Sequence, residues 1–427
     1  MEISIIQPSR NNLVYLQWAY KAIRKNQGKH TVQICVADDF SNDGTWEWCC
    51  DVKRRDPDFD CIRNDGPTRL GHTILYDRLV NEVAKYDVCM IYHADMYLCP
   101  GALDAIEMLM YDLKATKENT HKHLKVVERR KRIVSLTRIE PPLHPSGPEK
   151  LVFNFGVEPD NFDENKLLEA VRHFKLNPAM NTKTTEGVFA PWAFWKSEFQ
   201  EIGGHDPLFA PQSKEDSDIF NRFQLNGVEF VQTWYGFVYH MTCRGSRFNP
   251  TLTSVGTNST EWEQQNQRSA RNFIRKWGHF VKHDPLMKPI IPHKYDIGIS
   301  ISNCTYDLLY AVEPWATKIY LTGGDLPGDK QLHGSVYDSL RDDYIAKNQP
   351  DTLYSLSDKI WVSDWEVNDV IIKIDGRTFN QIDMDSLVSV SEILSDSGAV
   401  GTFHLGNMIF HIKQLVPKEM ELVRVNK

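Results

Sequence analysis

The stretch from Val88 to Gly101 constrains this chain most: the apolar run Val88-Cys89-Met90-Ile91-Tyr92 stops at His93-Ala94-Asp95-Met96, and Pro100-Gly101 follows. Unbroken apolar residues suit a strand covered on both faces, as in an α/β sheet. Ligands of such sheets bind beyond the carboxyl ends of the strands, which makes Asp95 the first candidate site residue. A carboxylate there also suits a helix cap ahead of Ala102-Leu103, so neighbouring segments must decide.

Those segments repeat the pattern. Ile3 to Ile6 predicts a strand ended by Gln7-Pro8-Ser9-Arg10, and Leu13, Leu16, Tyr20 and Ile23 recur at helical spacing, with Asn11 or Asn12 as cap and Gly28 as stop. Thr31 to Ala37 predicts a second strand, opening into Asp38-Asp39-Phe40-Ser41-Asn42-Asp43-Gly44-Thr45. A right-handed crossover makes these strands parallel, which puts the acidic loop on the edge where Asp95 emerges. Ile74, Leu75, Leu79, Val80 and Val83 predict a helix before the Val88 strand, Leu103, Ile106, Met110 and Leu113 one after it, and Ile133 to Leu136 a further strand. Residues 140 to 185 hold many Pro and Asn and show no period, as a loop over a site does. Further on stand Trp192 and Trp195, then Gly203-Gly204-His205-Asp206, then Glu215-Asp216 opening a helix. Val228 to Val231 and Gly236 to Tyr239 read as two strands, the second ending at His240, and Trp262 to Trp277 as an amphipathic helix.

Composition narrows the partners. A net charge of -8 and a pI near 6.0 argue against nucleic acid, whose phosphates need a concentrated basic face. No apolar run reaches the roughly 20 residues of a membrane span, and Met1-Glu2-Ile3-Ser4 lacks a signal-peptide pattern. The expectation is a cytoplasmic protein with no integral membrane segment, compatible with peripheral association. The eight cysteines (35, 49, 50, 61, 89, 99, 243, 304) lack paired metal spacing and read as reduced packing residues.

In order and approximate spacing, these segments resemble the family 2 glycosyltransferases, nucleotide-sugar enzymes of the GT-A fold. Asp38 to Thr45 is similar to that family's Asp-Asp-x-Ser-x-Asp-Gly-Thr, and His93-Ala94-Asp95 lies where it has Asp-x-Asp, followed by a Pro-Gly helix start. Gly203 to Asp206 resembles its acceptor-side turn, Glu215-Asp216 its Glu-Asp pair, and His240 a metal-binding histidine of some members. The chain departs from the pattern in having His93 for the first Asp of Asp-x-Asp, and Tyr76-Asp77 for the usual Arg-Asn.

The resemblance, which covers about residues 1 to 280, implies an α/β GT-A domain over 1-284: a Rossmann-like mixed sheet flanked by helices. It also implies an inverting transfer from a nucleotide-sugar donor, UDP favoured, to a saccharide, lipid-linked or protein hydroxyl, so that the acceptor partner is a glycan or glycolipid. The expected donor residues are Pro8, Ser9, Arg10, Asp38, Asp39, His93 and Ala94. Asp95 and His240 hold Mn²⁺ or Mg²⁺, which offsets charge growing on the diphosphate, and an imidazole ligand favours Mn²⁺. Asp216 is the general base with Glu215 orienting it. Trp192, Trp195 and Trp234 are candidates for stacking on sugars, and the first two join His205 and Asp206 as acceptor-side candidates. The alternative is a catalytically inactive carbohydrate- or nucleotide-binding module on the same fold.

After a proline-rich link, Asp296 to Ile301, Lys318 to Leu321, Val370 to Ile374 and Met408 to Ile412 read as strands, and Tyr306 to Val312 as a short helix. These predict a small C-terminal α+β domain over 294-427 without catalytic motifs.

Overall fold

The computed structural model describes residues 1–115, 124–180, 182–242, 258–323 and 330–420; Cys243 lies outside them. Two compact units are present. The first comprises Met1–Gln264 with His283–Ile290, the second Gln265–Lys282 with Ile291–Glu421.

The first unit contains, in chain order, β1 (Glu2–Ser9), α1 (Leu13–Asn26), β2 (Thr31–Asp39), α2 (Thr45–Arg55), β3 (Phe59–Asn64) and α3 (Gly71–Arg78), which runs on as a π-helical turn, Leu79–Val83. Then follow β4 (Val88–Ile91), β5 (Met96–Leu98), α4 (Ala102–Met110), β6 (Tyr111–Ala115), β7 (Leu124–Arg129), β8 (Arg132–Glu140), β9 (Leu151–Val152) and α5 (Glu164–Leu176). The last elements are β10 (Thr184–Thr185), β11 (Trp192–Trp195), α6 (Lys196–Glu201), α7 (Glu215–Leu225) and β12 (Glu229–His240), and α8 (Thr260–Trp277) crosses into the second unit.

Ten strands form one mixed sheet whose main path is β10-β12-β8-β11-β4-β1-β2-β3. β4, β1, β2 and β3 are parallel, and β11 runs antiparallel between β4 and β8. Alternate residues of β1 and β4 enter opposite cores: Ile5 and Met90 pack with Leu16 and Ile106, while Ile6 and Ile91 pack with Leu75 and Phe223. Burial on both faces explains why these strands read as unbroken apolar runs.

Four elements differ from expectation. The helix expected to run through Leu113 ends at Met110, and Leu113 lies in β6. β1 continues through Pro8, because its pairing with β4 ends at Ile6 while that with β2 runs on to Ser9, so the missing proline N–H faces a one-sided ladder. The unassigned stretch holds α5, capped by the Asp163 carboxylate and burying Leu167 and Val171 against Phe237 and Tyr239. The two strands expected after Val228 are one, β12, with a register shift between Thr233 and Phe237.

The second unit contains β13 (Ile297–Ser302), α9 (Tyr306–Val312), β14 (Lys318–Thr322), α10 (Lys330–Asn348), α11 (Leu356–Lys359), β15 (Ile360–Val362), β16 (Val370–Asp375), α12 (Gln381–Val388), α13 (Val390–Ser397), β17 (Gly401–Leu405) and β18 (Met408–Ile412). Its six-stranded sheet has the order β15-β14-β13-β16-β18-β17, the first four strands parallel and the β17–β18 hairpin antiparallel at one edge. From Gln265 onward α8 belongs to the second unit, where Arg271 and Arg275 bind the buried Glu313 carboxylate. Among the described residues, no helix is long and apolar enough to cross a membrane.

Candidate active site

Strand pairing assembles the first cluster. β5 pairs antiparallel with β12, setting His240 opposite Met96, and the Met241 N–H donates to the Asp95 carbonyl at 3.0 Å. The ligand atoms of His93, Asp95 and His240 thereby lie within 4.8 Å of one another. Asp95 Oδ2 is 3.4 Å from His240 Nε2, and the two imidazole rings are 5.7 Å apart. Two imidazoles and a carboxylate, held this close, fit a divalent transition-metal ion. His93 was expected at the donor, and the structure groups it with the two expected metal ligands.

Burial and charge tune these groups. Burial and the neighbouring His240 push His93 down to about 4, so its ring is neutral. Burial opposes the charged form of His240, but Asp95 and Glu140 outweigh it and lift the ring to about 9. Burial alone would raise Asp95, yet the charge and hydrogen bond of His240 hold it low. Glu140 is a residue the sequence reading missed. It ends β8, its Oε1 lies 2.8 Å from His240 Nδ1, and Arg138 and Lys150 flank it at 3.3 and 2.8 Å. The only sequence signal was a carboxylate at the end of a strand longer than Ile133 to Leu136.

The acidic loop stands on the same edge. Ser9 is paired with Asp38 at the ends of β1 and β2, with Pro8 beside it and Arg10 next in the chain, half-buried. Asp38 is fully buried, its Oδ2 3.2 Å from Arg63 Nε, and burial raises its pKa. The Asp39 carboxylate accepts the backbone N–H groups of Leu70 and Gly71 at 3.0 and 2.8 Å and the Asn64 amide at 2.8 Å. It therefore holds the 64–71 loop. Asp43 accepts from Leu13 and Thr45, so the turn chemistry of this loop also joins the starts of α1 and α2. Phe40 adopts φ 58°, a strained backbone for an aromatic residue.

Glu215 and Asp216 occupy the first turn of α7, entered through two left-handed residues, Ser213 (φ 81°) and Lys214 (φ 69°). Such strain concentrates at functional sites. Glu215 is buried with Oε2 lacking a hydrogen-bond partner among the described residues, and burial together with the Asp216 charge pushes it up to about 8. Burial also raises Asp216, and His205 pulls it back.

The acceptor-side candidates are mostly structural. Trp192 and Trp195 are 0% and 3% exposed, packed in the cores on opposite faces of the sheet, so neither offers a face to a sugar. Apolar residues at strand spacing satisfied the core first. His205 is fully buried too: its Nδ1 lies 2.8 Å from Asp77, its N–H donates to the same carboxylate at 3.1 Å, and its ring stacks on Tyr76. Asp77, standing where the resemblance expected Asn, thus positions the 203–206 turn. Asp206 caps the short helix Pro207–Phe209.

No family model matches the chain, and no curated protein sequence matches it. Among solved structures it is similar to GalNAc-T7 crystallised with UDP, GalNAc and Mn²⁺, at 13% identity over 65% of this chain and 48% of that one, with a TM-score of 0.43. It is also similar to the S. aureus TarS 1–349 fragment in complex with UDP-GlcNAc, at 10% identity over 64% and 66% of the two chains, TM-score 0.37. The chain therefore spans about half of the GalNAc-T7 chain. Likenesses this distant carry no argument, and the functional reading rests on the site geometry.

Proposed function

We propose that this chain is a metal-dependent, inverting glycosyltransferase that moves a sugar from a nucleotide-sugar, UDP-linked by preference, to a hydroxyl of a glycan or glycolipid. The observation that carries this reading is the convergence of His93, Asp95 and His240 at the carboxyl edge of the parallel strands, where the acidic loop after β2 also emerges. These three residues would hold the ion, and two imidazoles favour Mn²⁺ over Mg²⁺. A divalent ion there supplies Lewis-acid neutralisation of the charge that grows on the diphosphate leaving group. Pro8, Ser9, Arg10, Asp38 and Asp39 frame the nucleoside.

The acceptor oxygen forms a bond to the anomeric carbon as the bond from that carbon to the diphosphate breaks, and Asp216 takes the hydroxyl proton. Single displacement inverts the centre. Glu215, neutral below about pH 8, donates a hydrogen bond instead of taking a proton, which suits an orienting role.

The test is release of nucleoside diphosphate from a panel of nucleotide-sugars with Mn²⁺ and a broad acceptor mixture. Turnover is expected to need the metal. Asp216→Asn should lower kcat by about 10² to 10⁴ with melting little changed, because Asn is isosteric with Asp in the first turn of α7 but takes no proton. Metal-dependent UDP binding without any turnover would support the inactive binding module instead, a reading favoured by His93 standing where the resemblance expects Asp.

A further inference from the structure

A groove of about 500 Å³ runs along the flank of the first unit, lined by Ile74, Asp77, Arg78, Asn81, Gln200 and Gly204 among others. Its walls are α3 with its π-helical turn and the end of α6. A π-helical turn is rare and tends to mark functional sites. Gln200 Nε2 donates to Asn81 Oδ1 at 3.0 Å. That bond uses Asn81 Oδ1 and Gln200 Nε2, and both side chains are exposed, so a donor (Asn81 Nδ2) and an acceptor (Gln200 Oε1) remain for a ligand. Arg78 and Glu82 form an ion pair at 3.3 Å across one turn of the same wall.

Paired amide donors and acceptors match neighbouring sugar hydroxyls, each of which both donates and accepts. The one aliphatic side chain, Ile74, offers no set of apolar pockets for peptide side chains. One end of the groove meets the 203–206 turn: a Cβ on Gly204 would stand 2.3 Å from Asp77 Oδ2, and Asp77 is the carboxylate that holds His205. We infer that this groove binds the remote sugar units of an oligosaccharide acceptor, an inference that rests on the transferase reading for the word acceptor.

Linear hexasaccharides of glucose, N-acetylglucosamine, galactose and mannose, each beside its monosaccharide, are titrated calorimetrically into the full chain, with UDP plus Mn²⁺ titrated into the same preparation. At least one hexasaccharide is expected to bind about tenfold or more tighter than its monosaccharide. The double variant Asn81→Ala, Gln200→Ala, at two exposed positions, should abolish that difference while leaving UDP binding unchanged. The inference is overturned if no hexasaccharide exceeds its monosaccharide, if the double variant binds as the parent does, or if a serine-rich peptide binds the groove in place of every sugar. Failure of Mn²⁺-dependent UDP binding alongside intact hexasaccharide binding would instead remove the transferase reading and leave a glycan site.

Discussion

Glu140 decides how His240 presents its ring. With Nδ1 held by the Glu140 carboxylate at 2.8 Å, Nε2 is turned toward Asp95. Glu140→Gln is expected to lower Mn²⁺ affinity by about 10- to 100-fold while cooperative melting is retained, read by Mn²⁺ titration under electron paramagnetic resonance. Unchanged affinity would take His240 out of the metal set. Glu215 makes a second prediction at this scale. Its carboxyl is neutral below about pH 8 and ionises above it, so a neutral orienting group implies a rate that falls as pH rises through 8. Glu215→Gln, neutral at every pH, should erase that alkaline limb of the kcat profile; a limb that persists assigns it to another group.

At the scale of elements, α6 and β11 show residues that the core claimed. Burial pushes Glu198 on α6 up to about 7, with Arg129 and Lys131 working the other way. Its folded-state value exceeds the ordinary 4.5, so the native state binds the extra proton. That stability is complete below about pH 4.5 and is lost as pH rises through 7. Glu198→Gln should therefore raise Tm at pH 8 and flatten its decline from pH 5 to 8, measured by calorimetry; parallel declines in variant and parent would refute this. On β11, Trp192→Ala should cost about 3 to 5 kcal/mol through the cavity it leaves, with no selective rise in acceptor KM. The helix α5 was legible in principle from Asp163, Leu167, Val171 and Phe174, but the flanking Pro and Asn residues obscured its period.

At the scale of the whole molecule, Glu313 is the residue on which the second unit converges. It is fully buried and meets Arg271, Arg275, Lys359 and Tyr344 at 3.0, 2.6, 2.7 and 3.1 Å. Burial pushes Lys359 down to about 8. Removing the one anion from the buried Arg275 and Lys359 and the half-buried Arg271 should cost about 3 to 5 kcal/mol, so Glu313→Gln is expected to speed hydrogen exchange across β13, β14 and the 265–277 part of α8. Protection equal to the parent's would show the network to be dispensable. The sequence by itself determined the features that neighbours along the chain decide: the strands around Ile3, Thr31 and Val88, the periods of α1 and α3, the turn chemistry of Asp38 to Thr45, and the acidic start of α7. Only tertiary structure decided which candidates meet. Pairing of β5 with β12 brings His240 to Asp95 and adds His93, the length of β8 delivers Glu140, and packing removes Trp192 and Trp195 from any surface. Strand register is set by side chains packing across the sheet, and neither strand records its partner, so contacts between distant segments exist only once the chain has folded.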